Sequence, residues 1–240
     1  MSRTRIAFFD VDGTLTNATS LFRFLRHYLA AQGHGEDTYL QRRRHIMELA
    51  ARGVPREETN RAYFANFAGA EADRVAALGE RWLAAELDQQ GFFNAHVVGA
   101  LHRHRKAGDR VVLVSGSFPA CLDPIAAHLG ADAVRCSNPR ISEGRYTGEL
   151  VGAAMIGAAK AEAVRQACAF YGIPAERCVS YGDHLSDLPM LEETGDGVLI
   201  GEDPALGAVR RAHWSHLPAQ PAPPPLDLFP AVAATGRKAS

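Results

Sequence analysis

The sequence predicts an α/β fold, a doubly wound and mostly parallel sheet interrupted near its start by an α-helical insert. Three observations carry that expectation. Short apolar runs at Ile6 to Phe9, Val111 to Val114 and Cys178 to Tyr181 are each followed by small or acidic residues, and runs of four are too short for buried helices, so they read as buried strands. Helical stretches lie between the strands, and that alternation implies a parallel sheet covered on both faces. Residues 16–90 show helical periodicity throughout and no convincing strand.

The first strand, Ile6 to Phe9, ends at Asp10. In the insert, Leu21, Leu25, Tyr28 and Leu29 recur at helical spacing, and Tyr39, Leu40, Ile46, Met47 and Ala50 repeat the stripe. Gly33 to Asp37, Gly53-Val54-Pro55 and Gly69 to Glu71 break it into separate helices. Phe92 and Phe93 mark the return as packing residues. The strand Val111 to Val114 then leads into Ser115, followed by a helix near 118–129, a strand at Ala131 to Val134 and a hairpin from Arg140 to Leu150 turning at Ser142-Glu143-Gly144. A helix near 158–171, the strand Cys178 to Tyr181, a helix near 187–194, a strand at Gly197 to Ile200 and a helix near 204–212 complete the alternation. From Leu217 onward Pro and Ala dominate, including Pro223-Pro224-Pro225. That segment reads as a mobile tail, with Leu226, Leu228 and Phe229 able to dock. The domains expected are a core of residues 1–15 and 91–216, an insert of 16–90 and a tail of 217–240.

The chain has 240 residues, 47% of them hydrophobic, with 26 Lys and Arg against 27 Asp and Glu. A net charge of −1 gives no footprint for nucleic acid and no polybasic strip for a membrane, which argues against a charge-steered polymer as substrate. The start meets Asp10 and Asp12 where a signal peptide needs an apolar core, and no window reaches the length of a membrane span. Cys121, Cys136, Cys168 and Cys178 form no CxxC pair, which points to reduced, mostly buried thiols and a cytoplasmic location.

The chemistry concentrates at the strand ends, where open α/β sheets bind ligands. Asp10-Val11-Asp12-Gly13-Thr14-Leu15 follows the first strand. Two carboxylates two residues apart can divide labour, one attacking an electrophile and one moving a proton, if a cation suppresses their repulsion. Gly13 allows a tight turn whose amides can cradle an anion, although a DG turn capping a helix would look similar. Ser115-Gly116-Ser117 offers hydroxyls and amides to a phosphate. Lys160 lies near the start of a helix, where the dipole disfavours a cation. Asp183 and Asp187 follow the third strand, four apart, and suit Mg²⁺ directly or through a bound water.

In this order the four segments resemble the motifs of the haloacid dehalogenase-like superfamily of phosphatases. The helical insert and Ala159-Lys160-Ala161-Glu162 resemble the phosphoserine-phosphatase-like branch, in which the insert is a cap over the active site. The resemblance implies a Mg²⁺-dependent phosphatase of a small phosphomonoester. Asp10 would be the nucleophile forming an aspartyl-phosphate, and Asp12 the acid and base. Ser115 and Lys160, with amides near Gly13 and Gly116, would stabilise the transferring group. Mg²⁺ would be held by Asp10, the main-chain carbonyl of Asp12 and Asp183, with Asp187 orienting Lys160 or a metal-bound water. The second aspartate, absent from the superfamily's dehalogenases, favours phosphate-ester chemistry.

Phosphoserine phosphatases carry a glutamate nine residues after the nucleophile; here the position is Thr19, which disfavours phosphoserine. Their last motif usually ends in Asn-Asp, against Ser186-Asp187 here. Residues expected to face the substrate are Gly13, Thr14, Gly116, Ser117, Thr19, Arg23, Arg43 and His184. Arg23 follows Thr19 by one helical turn, and Arg43 interrupts the Tyr39 to Met47 stripe, so either could pair with an anionic group on the substrate or simply reach solvent. Two other functions stay open: a phosphotransferase or mutase using the same nucleophile, and a catalytically silent binding protein of the same fold.

Overall fold

The computed structural model describes residues 4–229. Its core is a six-stranded sheet built from β1 (Ile6–Phe9), β2 (Arg110–Ser115), β3 (Ala133–Cys136), β6 (Val179–Gly182), β7 (Asp196–Ile200) and β8 (Ser215–Leu217), in the order β3-β2-β1-β6-β7-β8. Every pairing is parallel. The alternation of strand side chains divides the core into two layers. Ala7, Phe9, Val111 and Leu113 face α5 (Ala95–Ala107) and α6 (Pro119–Leu129), whereas Ile6, Phe8, Val112 and Val114 face α7 (Ala158–Tyr171) and α8 (Leu188–Glu193).

The chain order places β1 between β2 and β6. Connections leave β1 toward one edge and later return to its other side, so the crevice at its carboxyl end is the switch point of the sheet. Asp10, Ser115 and Asp183 all emerge there.

Between β1 and α5 lie four helices, α1 (Ser20–Ala31), α2 (Glu36–Ala51), α3 (Arg56–Phe64) and α4 (Ala72–Leu87). Paired backbone segments form the two crossings, with Asn17 N–H donating to Phe92 and Asn94 N–H donating to Leu15. Phe118, from the core, fits edge-on among Phe24, Tyr63 and Phe64 of the insert. A Cβ on Gly79 of α4 would stand 1.8 Å from the carbonyl oxygen of Ala120, so only glycine permits that approach. The hairpin β4 (Pro139–Ser142) and β5 (Arg145–Leu150) belongs to the core by sequence, yet its β5 side bonds to the insert through Gly69, Ala70 and Tyr146.

The structure differs from the sequence expectations at several elements. Helix α5, with Asn94 capping its N-terminus and Gly108 ending it in the left-handed conformation, and strand β8 both lie where the sequence pattern marked nothing. The last helix, α9 (Pro204–Ala208), ends four residues early. Leu40 and Met47 are exposed, because α2 buries only Tyr39 and Ile46. The start of the tail is not mobile but docked, through two of the three residues the sequence marked as able to dock: Leu226 and Phe229 pack on the core, Arg23 and Arg26 donate to the carbonyls of Pro223, Pro224 and Leu226, and Asn94 donates to Pro218. The rest of that expected tail, 230–240, lies outside the described residues.

Candidate active site

The turn after β1 brings two acidic loops together. Gly13 adopts φ 90°, and a Cβ there would sit 2.2 Å from a carboxylate oxygen of Asp183, so the position requires glycine. Thr14 Oγ1 donates to Asp183 Oδ1 at 2.9 Å and orients it. Asp12 accepts from the amide of Ser20, the first residue of α1, at 2.7 Å.

Lys160 sits in the first turn of α7, buried, and its ammonium donates to Asp10 Oδ1 at 2.5 Å and Asp187 Oδ1 at 2.7 Å. The dipole cost of a cation at that helix end is offset by these two carboxylates. Asp187 Oδ2 in turn accepts the amides of Asp183 and His184, each at 3.1 Å. A Cβ on Gly182 would meet Asp187 at 2.7 Å.

Burial pushes the Asp10 carboxyl well above its ordinary range; Lys160 works against the shift, and Asp187 and Asp183 add to it. Burial and the Asp187 charge lift Asp183 to about 6. Burial also raises Asp12, with Ser20 holding it back. For Lys160, burial is opposed and overcome by Asp10 and Asp187, so its ammonium is firmly charged. The cluster is therefore short of positive charge.

Asp10, Asp183 and Asp187 present carboxylate oxygens within 4.8 Å of one another, an all-oxygen donor set that fits a hard divalent cation such as Mg²⁺. The Asp12 carboxylate lies outside the cluster and accepts from Ser20, in keeping with a metal contact expected through its main chain alone. Its main-chain carbonyl remains the group able to contribute. Both oxygens of Asp187 already hold protein donors, which suits an orienting carboxylate.

A cavity of about 320 Å³ opens over this cluster, between the sheet and the helical insert. Asp10, Asp12, Gly13, Ser115, Gly116 and Lys160 line its floor; Thr19 and His184 line its wall. Two residues expected at the substrate stand one layer behind: Thr14 supports Asp183, and Ser117 accepts from Ser20 at 3.3 Å. Neither arginine lines the cavity, which removes them from the substrate-facing set and leaves Arg43 with its other expected role of reaching solvent. Arg23 turns from the cavity to pair with buried Glu86 at 2.9 Å and with the proline carbonyls of the docked tail. Arg43 is exposed on α2 and stacks over the outer face of Phe22, 5.5 Å from its centroid, because the buried stripe passes through Tyr39 and Ile46 and leaves Arg43 on its flank.

Among the cavity residues that the sequence missed are Phe22, Arg56, Asn60 and Tyr63. Arg56 begins α3 directly after Pro55 and forms no ion pair among the described residues. The break at Gly53-Val54-Pro55 was the one available signal, since a helix restarting there could aim its first turn at the sheet.

The sequence model of the haloacid dehalogenase-like hydrolases matches residues 7–192. A Mycobacterium tuberculosis protein named "Probable phosphatase" is 30% identical over 206 residues, 83% of this chain and 70% of that one. A phosphoserine phosphatase of the same organism is 28% identical over 219 residues, 87% and 68% of the two chains. Among solved structures, a protein of unknown function from Bordetella pertussis superposes with a TM-score of 0.78 at 25% identity, covering 95% of this chain and all of that one. A substrate-bound phosphoserine phosphatase superposes at 0.67 and 19% identity, covering 90% and 94%, and shares the fold.

Proposed function

Because the chain belongs to the haloacid dehalogenase-like hydrolases, we propose that its cavity hydrolyses a small phosphomonoester, with Mg²⁺, through an aspartyl-phosphate on Asp10. The enzyme is a phosphoric monoester hydrolase. The observation that carries the finer reading is the ammonium of Lys160, buried and shared between Asp10 and Asp187 at the mouth of the sheet. Such a buried pair is costly, and it fixes Asp10, through one carboxylate oxygen, in the floor of the cavity, where a nucleophile is required.

In the first step Asp10 attacks phosphorus while the bond to the leaving alkoxide breaks, and Asp12 gives its proton to that oxygen. Burial keeps Asp12 protonated to higher pH than an ordinary carboxyl, as a proton donor requires. In the second step water attacks phosphorus, its proton passes to Asp12, and inorganic phosphate leaves Asp10 free. Ser115, Lys160 and the amides near Gly13 and Gly116 stabilise charge on the transferring group. Asp10, Asp183 and the Asp12 carbonyl would hold Mg²⁺, which would supply the positive charge that the cluster lacks and favour ionised Asp10.

The helices over the cavity act as a cap that excludes water and sorts substrates. All cavity carboxylates lie at the reactive end, and the wall carries neutral Thr19, apolar Phe22 and Ile46, and the cation Arg56. That wall suits a leaving group without an ammonium, and Arg56 suits one with a second anionic group. The test is phosphate release from a panel of small phosphomonoesters with Mg²⁺, repeated with EDTA and with Asp10→Asn. Metal-dependent turnover abolished by the variant is expected; turnover retained by the variant overturns the mechanism.

A further inference from the structure

We infer that Asn60, on helix α3 of the insert, is a positioning residue that sets the hydroxyl of Ser115 for phosphoryl stabilisation. The inference rests on the reaction proposed above. Asn60 is 8% exposed, and both ends of its amide are used: Nδ2 donates to the carbonyl of Gly116 at 2.8 Å, and Oδ1 accepts from Ser137 Oγ at 3.1 Å.

The direction of these bonds is fixed by their neighbours. Ser137 Oγ already accepts from the amide of Met155 at 3.0 Å. The Gly116 carbonyl can only accept, so Asn60 must present nitrogen to Gly116 and oxygen to Ser137, which donates its proton there. The Gly116 carbonyl and the Ser117 amide belong to one planar peptide group. Asn60 holds its carbonyl end, and Ser115 Oγ accepts from its N–H end at 3.1 Å. With a lone pair of Ser115 committed to Ser117, its O–H proton is left to donate elsewhere, and Ser115 lines the cavity over Asp10.

Space enforces the same arrangement. A Cβ on Gly116 would stand 2.7 Å from Ile156 Cδ1 and 3.3 Å from Asn60 Nδ2, so the peptide is clamped between the insert and the segment leading to Lys160. A helix some fifty residues away in sequence thus completes the turn that receives the phosphoryl group.

The experiment is a double-variant cycle on the full chain, with p-nitrophenyl phosphate and Mg²⁺ as probe, using Asn60→Ala, Ser115→Ala and the pair, and Asp10→Asn as control. Asn60→Ala is expected to lower kcat about tenfold, the scale of one lost hydrogen bond, and Ser115→Ala about a hundredfold. If Asn60 acts through Ser115, the pair falls no more than about twofold below Ser115→Ala alone, whereas independent defects multiply to about a thousandfold. Multiplication, or an unchanged kcat in Asn60→Ala, overturns the inference. Activity retained by Asp10→Asn would instead remove the reaction on which it rests. Ser137→Ala, which deletes only the bond orienting the amide, runs the same cycle if Asn60→Ala does not fold; its loss too must vanish on the Ser115→Ala background.

Discussion

Replacing Lys160 with Met keeps most of the side-chain volume and removes the charge, and it tests whether the buried ion cluster is held by that one ammonium. Lys160 is 2% exposed and bonds to two carboxylates that are themselves 5% and 1% exposed. Breaking a buried pair from one side costs about 3–5 kcal/mol, because the remaining charges lose their partner without regaining water. For a chain of this size each kcal/mol lowers Tm by about 2–4 °C, so Lys160→Met should melt roughly 6–20 °C below the wild type. Two further results follow from the same cause. Adding Asp187→Asn removes one stranded carboxylate, so the double variant should be more stable than the sum of the singles by about 1–3 kcal/mol. Saturating Mg²⁺ should raise Tm more in Lys160→Met than in the wild type, since the cation meets a larger deficit of positive charge. Differential scanning calorimetry at pH 7, with and without Mg²⁺, reads all three. A variant melting within about 2 °C of the wild type, with an equal Mg²⁺ response, would refute the electrostatic account of the site.

Asp10→Asn should abolish phosphate release while leaving the fold intact, seen as a far-UV spectrum equal to that of the wild type. Ending the chain after Leu217 strips the carbonyl partners from Arg23 and Arg26 and uncovers the surface under Leu226 and Phe229, for a loss of roughly 1–3 kcal/mol in urea denaturation; an unchanged midpoint would show that the docked segment contributes nothing. The network of Arg5, Asp109, His104 and Tyr181 predicts a pH response. Burial lowers the pKa of His104, with Asp109 opposing. The unfolded state therefore binds the proton more readily, and stability contributed by neutral His104 is present above the ordinary histidine pKa and lost as pH falls through it toward the depressed value. Tm should drop between pH 7 and 5, and less steeply in His104→Gln.

Much of the chemistry was legible because it sits at the ends of strands. Asp10, Ser115, Lys160 and Asp183 each follow or face a short apolar run or a glycine turn, and a parallel sheet gathers such ends on one edge whatever the lengths between them. The strands of the sheet centre were legible for the same reason. Helix α5 and strand β8 were not. The stretch 95–107 holds three histidines and three basic residues among only a few apolar ones, and its helix is secured by the Asn94 cap and by Val97 and Leu101 beneath the sheet. Strand β8 is three residues long and exists through its pairing with β7.

The arginines show why the cavity wall was harder to read than its floor. Helical spacing places Arg23 one turn from Thr19, and Thr19 does reach the cavity, but direction on a helix says nothing about competing partners. Glu86 on α4 and the carbonyls of residues 223 and 224 capture Arg23, and both lie more than sixty residues away. Arg56, an exposed cation with no such competitor among the described residues, is what the wall offers an anion instead. The same holds for Asn60, whose partners Gly116 and Ser137 belong to loops that meet only because β2 and β3 are adjacent. Local pattern can announce a charged side chain with chemistry to do. Which neighbour claims it is decided by the tertiary contacts, and in this fold those contacts join the insert to the sheet at Ser20 and Asp12, at Asn60 and Gly116, and around Phe118. Substitutions at such junctions should therefore alter catalysis without touching any of the four motifs.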